Sequence, residues 1–267
     1  MIQLSEIQRK SREGHVRDQQ IEKDYILSWI LRGIAQHGQL SKAIVFKGGT
    51  VLKKVYFKNY RFSEDLDFTL LDDKIKNEQL LEWFRKSFDY VLEESNIRLA
   101  IIGNSPDEGS DINFYISYVG PLGGQGSNKK VKVDISRSEK LEFKPMHKKV
   151  LSAYTDLKEH TLLCYTLEEV LIEKMRAVMQ RMQARDFYDL WYLLEVHGMN
   201  GSLYVKEFAN KCKSKGLVAS EFPKKLLARI PQYQGRWQSS ISEQIQDLPA
   251  FDKVERETLR LLKKLKL

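Results

Sequence analysis

The 267-residue chain has only 2 cysteines and 6 prolines. Cys164 and Cys212 stand alone, with no metal, redox or paired spacing, so no disulfide framework or thiolate metal site is expected, and a reducing cytoplasm is the simplest location. Few prolines beside 42% hydrophobic and 30% charged residues exclude a low-complexity or disordered chain. No stretch approaches 18 apolar residues, and MIQLSEIQRKSREGH at the N-terminus has no apolar secretory region, so no membrane partner is expected. Five histidines (His15, His37, His147, His160 and His197) form neither a ligand set nor a triad. Charge is not balanced: the net is +8, and residues 201–267 hold 14 Lys or Arg against 7 Asp or Glu. Either a polyanionic partner or a set of solvated helices accounts for that excess.

The hydrophobic pattern divides the chain into an α/β half, residues 1–140, and a helical half, residues 141–267. An amphipathic helix is expected over 18–36, with Asp18 as cap and its charges facing outward. A short apolar strand, 43–46, then runs into Gly48, Gly49 and Thr50, and a helix follows to about Tyr56. From Ser63 to Leu70 the residues alternate, which places Ser63, Asp65, Asp67 and Thr69 on one face and Leu66, Phe68 and Leu70 on the other. A helix capped by Asp72 or Asp73 and ending near Glu94 precedes strands at 97–102, 112–119 and 130–136. PLGGQGSNKK, residues 121–130, joins two strands and reads as a hairpin connection rather than a phosphate loop. Beyond Lys140 only helices are expected, over 167–182 with Thr166 as cap, then 185–196, 202–215, 220–230, 237–247 and 251–265, with Pro231 and Gly235 as breaks.

A Gly-Gly pair between strand and helix lets backbone amides approach a phosphate at a helix N-terminus, although a plain tight turn has the same composition. Asp65 and Asp67, aimed the same way by the period of two, repel each other unless solvated or bridged by a cation such as Mg²⁺. Alternation over 130–136 puts Asp134 on a polar strand face as a third carboxylate. Three such groups suit two metal ions and an in-line displacement at phosphorus. Farther on, Lys174 sits in the middle of the apolar stripe of its helix, where its ammonium needs a carboxylate or a bound phosphate. The triphosphate of a nucleotide is the preferred partner. Asp186 serves as a helix cap or a site residue, and Asp189 as a partner for Arg185.

Taken together, Gly48-Gly49-Thr50, Arg61-Phe62-Ser63-Glu64-Asp65-Leu66-Asp67-Phe68, Ile172-Glu173-Lys174-x-x-Ala177 and Arg185-Asp186-x-x-Asp189-Leu190 resemble the AbiEii toxin family, in the family's order and across about residues 21–194. Those proteins are minimal nucleotidyltransferases of the DNA polymerase β superfamily. The resemblance implies a nucleotidyltransferase-like mixed sheet with flanking helices, followed by an all-helical C-terminal domain. It also implies a toxin of a toxin–antitoxin pair that uses an NTP donor, an RNA acceptor such as the tRNA 3' end, and a cognate antitoxin. By that likeness Asp65 and Asp67 match the metal-binding pair, Ser63 a serine near the phosphates, Lys174 a nucleotide-contacting lysine and Asp186 a distal acidic residue. Two other readings stand beside it: transfer of a nucleotide or phosphate to a protein side chain, and an inactive nucleic-acid- or antitoxin-binding module.

Overall fold

Two strands carry the centre of the sheet, and their pairing follows from the apolar run and the alternating segment noted above. In the computed structural model, which describes residues 1–103, 110–124 and 129–265, helices α1 (Leu4–Gly14), α2 (Asp18–Gln36) and the single turn α3 (Leu40–Ala43) lead into β1 (Ile44–Lys47). The turn α4 (Gly48–Val51) continues as a π-helical turn over Leu52–Tyr56 and is followed by β2 (Asp65–Leu70) and α5 (Asn77–Ser95). Strands β3 (Arg98–Ile102), β4 (Ile112–Val119), β5 (Lys130–Ser136), β6 (Met146–Lys149) and β7 (Thr161–Cys164) complete a seven-stranded mixed sheet in the order β3-β4-β5-β2-β1-β7-β6. β2 is antiparallel to β1 and parallel to β5, whereas β1 is parallel to β7.

One face of the sheet is apolar because every second residue of β2, β4 and β5 is. Leu66, Phe68, Phe114, Val131, Val133 and Ile135 are all buried there. Phe84 of α5 meets Phe114 edge-on with ring centroids 5.2 Å apart, and Phe68 at 6.4 Å, which clamps that helix to the sheet. α2 departs from the expected amphipathic pattern, since it is buried on nearly all sides. Its inward charges are paired instead: Glu22 with Lys129 at 2.9 Å and Asp24 with Lys54 at 2.8 Å. Neither expected aspartate cap forms. Arg17 and Lys76 occupy the N-cap positions of α2 and α5, and the Asp72 carboxylate accepts from the Lys74 amide instead. β4 and β5 pair antiparallel, as a hairpin requires, with Gln125–Asn128 of their connection outside the described residues.

The chain forms two compact units, Met1–Glu139 with Pro145–Cys164, and Lys140–Lys144 with Tyr165–Leu267. The strands β6 and β7 were not legible as strands, because four residues each are too few to show a period; they carry the first unit past the expected change to helices at about Lys140. In the second unit α6 (Leu167–Gln180) is capped by Thr166, whose hydroxyl accepts from the Glu169 amide. α7 (Ala184–Trp191), α8 (Val205–Lys213), α9 (Phe222–Ile241) and α10 (Phe251–Leu262) follow. α9 is one helix through Pro231 and Gly235, where two helices were expected. Proline in a helix interior costs about 3 kcal/mol, and burial of Leu226, Tyr233, Trp237 and Ile241 offsets it. The Tyr233 ring also stacks on Phe187 of α7 at 5.1 Å.

Candidate active site

At the end of β1 the backbone turns at Gly48 with φ +79°. A Cβ there would lie 2.1 Å from Asp67 Oδ2, so only glycine lets the Asp67 carboxylate close over the turn. Thr50 is buried, with its hydroxyl 2.7 Å from Ser63 Oγ and 2.5 Å from the Asp65 carbonyl. That hydroxyl is engaged in fixing Ser63 and the start of β2. Gly48, Gly49, Thr50, Ser63, Asp65 and Asp67 therefore belong to one piece of structure, the junction of the glycine turn with β2.

Strand register places Asp134. Residues facing each other across paired strands share a side of the sheet. Lys47 faces Asp67, Asp67 faces Asp134, and Asp134 faces Asn113, which makes one row across four strands. The adjoining row runs Asp65, Lys132, Tyr115. All three expected carboxylates thus share one side of β2 and β5, each half-buried.

Two lysines, neither singled out in the sequence, stand among them. Lys132 Nζ donates to Asp134 Oδ2 at 2.7 Å. Burial pulls the Lys132 pKa down, but the bond to Asp134 and the charges of Asp134 and Asp65 outweigh it, and the net shift is upward. Lys47 is buried, with its amine 3.3 Å from Ser136 Oγ and 3.7 Å from Glu139 Oε2. The alternation that places Asp134 places Lys132 on the same face, so that signal was present. For Lys47 there was none, because β1 is buried throughout.

The donor chemistry, hard carboxylate oxygens on adjacent strands, fits Mg²⁺. Among the described residues, no group of three or more His, Cys, Asp or Glu side chains is drawn together as a metal cage. Asp134 is instead neutralised by the Lys132 ammonium. A cation is already part of this acidic face, and it is a side chain.

In the helical unit, Lys174 is buried on α6 with its amine 2.8 Å from Asp186 Oδ1 and 2.7 Å from Asp189 Oδ2. Its need for an anion, inferred from the apolar stripe, is met by carboxylates. Arg181 adds bonds of 2.6 and 3.0 Å to Asp186. Burial pushes the Asp186 carboxyl up, yet Lys174 and Arg181 together hold it below the usual value. Asp186 is not a cap, since Gln183 takes the N-cap position of α7. Asp189 is fully buried, more deeply than pairing with the neighbouring Arg185 on a helix surface requires.

A family model described as nucleotidyl transferase AbiEii toxin, type IV TA system, matches residues 29–257. Among solved structures, the fold is similar to MenT4, a nucleotidyltransferase toxin from Mycobacterium tuberculosis, with a TM-score of 0.63, 18% identity, and coverage of 100% of this chain and 91% of that one. It is also similar to JHP933 from Helicobacter pylori, with a TM-score of 0.57, 18% identity, and coverage of 93% and 92% respectively. No curated protein sequence matches.

Proposed function

Because the chain belongs to the AbiEii nucleotidyltransferase toxin family of type IV toxin–antitoxin systems, we propose that it transfers NMP from an NTP to an RNA end, the tRNA 3' acceptor end, with release of pyrophosphate, and so arrests growth. The observation that carries this reading is the register of β2 against β5, which aligns Asp65, Asp67 and Asp134 beside the Gly48-Gly49 turn. Asp65, Asp67 and Asp134 would hold Mg²⁺, which when bound neutralises phosphate charge and makes the acceptor hydroxyl more acidic.

The chain's own groups do the positioning. Amides of the Gly48-Gly49 turn and the Ser63 hydroxyl bind triphosphate oxygens. For Asp134 to hold that ion, Lys132 would have to give up its bond to the carboxylate, and its ammonium would then be available to the anionic donor. In the helical unit Lys174 contacts the nucleotide and Asp186 supports it, as the family likeness assigns them. For Lys174 this requires sharing an ammonium already bound by two carboxylates. Basic residues of 201–267 hold the RNA backbone, which makes binding steeply dependent on salt.

The test is incubation with each labelled NTP in turn, Mg²⁺ and total RNA, beside Asp65→Ala. The expected result is label in tRNA from one nucleotide, absent with the variant. Label confined to protein would replace this reading with side-chain modification. Unchanged labelling and toxicity in Asp65→Ala would refute the enzymatic assignment to this site.

A further inference from the structure

A second set of cations, separate in sequence from the acidic rows, surrounds a cavity of about 370 Å³ in the first unit. Its walls carry Lys10 of α1, Lys53 and Lys54 of the π-helical turn, and Lys58 of the loop that follows, against only two carboxylates, Glu13 and Asp24. Both carboxylates are already matched. Glu13 accepts from Arg9 at 2.8 Å, and Asp24 is paired with Lys54 at 2.8 Å while also accepting from the Tyr154 hydroxyl at 2.7 Å.

Among the described residues, the contacts of Lys53 and Lys10 are with neutral groups. Lys53 donates to the carbonyls of Tyr60 at 2.9 Å and Lys58 at 3.3 Å, and lies 4.2 Å from the centre of the Phe62 ring. Lys10 lies 5.1 Å from the centre of the Tyr154 ring. Burial lowers the Lys53 pKa, and the charges of Lys54 and Lys10 press it the same way against the opposing pull of Asp24. An ammonium withdrawn from water among other ammoniums is unfavourable until an anion joins it.

We propose that this cavity is an anion site that takes a phosphate group, with Lys10, Lys53 and Lys58 as its ligands and the Lys54–Asp24 pair as its floor. Phosphate chemistry suits it because three point-charge donors line one hollow, and lysine binds phosphate in that manner. The group belongs either to a free nucleotide or pyrophosphate, or to the backbone of a polynucleotide, and the experiment separates these sources. The inference does not depend on the transferase reading.

The experiment measures inorganic pyrophosphate by calorimetry in EDTA, and a labelled single-stranded RNA 12-mer by anisotropy at several salt concentrations. Wild type is compared with Lys53→Met, Lys58→Ala, the double variant and Asp65→Ala. Lys53→Met keeps the length of the side chain and removes a half-buried charge, so its melting temperature should hold or rise. Lys58 is exposed, so its variant tests the site without touching the core. Expected is at least a tenfold loss of pyrophosphate affinity in the double variant, with no loss in Asp65→Ala. An equal loss for RNA, with a salt slope shallower by about 1.4 for the two lysines, identifies the backbone as the source; a loss for pyrophosphate alone identifies a free phosphate. Affinities within twofold of wild type for both probes would overturn the proposal.

Discussion

Gly48→Ala tests whether the glycine turn exists to admit Asp67. Two effects of the added methyl can be separated. At φ +79° an L-residue carries backbone strain of about 1–2 kcal/mol, which in a protein of this length lowers the melting temperature by roughly 2–8 °C. In addition, the new Cβ would lie 2.1 Å from Asp67 Oδ2, against the ~3.5 Å at which nonbonded atoms rest. The carboxylate must therefore retreat by about 1.4 Å, more than the ~1 Å displacement that can cost on the order of 10²-fold in rate at a reacting centre. Gly198 supplies the control: its φ is +78° and an added Cβ would meet nothing within 4 Å. Gly198→Ala should lower the melting temperature by the strain alone and leave NTP-dependent labelling intact, whereas Gly48→Ala should lose both. If Gly48→Ala destabilises no more than its control and labels RNA within twofold of wild type, Asp67 in this position is not needed for transfer.

Other expectations concern single groups. His160 is 7% exposed, and burial, aided by the charges of Arg32 and Lys54, depresses its pKa to about 4. The unfolded chain protonates it below about 6.5, so its contribution to stability is whole above that pH and declines towards pH 4, by about 3 kcal/mol in all. Urea midpoints at pH 7.5 and 4.5 should therefore lie closer together in His160→Phe than in wild type, and an unchanged gap would contradict the assignment. Lys174→Met removes the buried ammonium that Asp186 and Asp189 share and should destabilise by about 3–5 kcal/mol, with Arg181 still bound to Asp186. Adding Asp189→Leu should restore part of that loss in denaturant titrations, and no recovery would count against the pair. Thr166→Ala removes the one hydroxyl that caps α6 and should cost about 1 kcal/mol by the same measurement.

The features of the site that sequence revealed were those governed by a short period. Alternation alone put Asp65 and Asp67 together, and β2 bears that face. It also set Asp134 on the polar side of β5, although only register shows that it faces Asp67. The Lys174 stripe showed that an anion was required, and a triphosphate was preferred to a carboxylate because a helical projection cannot see across to α7, where Asp186 and Asp189 supply it. The burial of α2 was hidden for the reverse reason. Glu22 and Asp24 read as solvent-facing until their partners Lys129 and Lys54, far along the chain, are known. Pro231 misled because a local penalty was weighed without the aromatic packing that offsets it.

The order in which the chain visits its two units has a practical consequence. Lys140–Lys144 belongs with the helices, where the Glu169 carboxylate accepts from the amides of Glu142 and Phe143 while pairing with Lys211. Pro145–Cys164 then returns to the sheet and lays β7 along β1. No single cut separates the two units with both left whole. A fragment stopped at residue 140 would strip β6 and β7 away and bare the main-chain donors and acceptors of β1, turning the centre of the sheet into a sticky margin. Cleavage within residues 140–144 followed by gentle denaturation should accordingly yield precipitate rather than a soluble catalytic half.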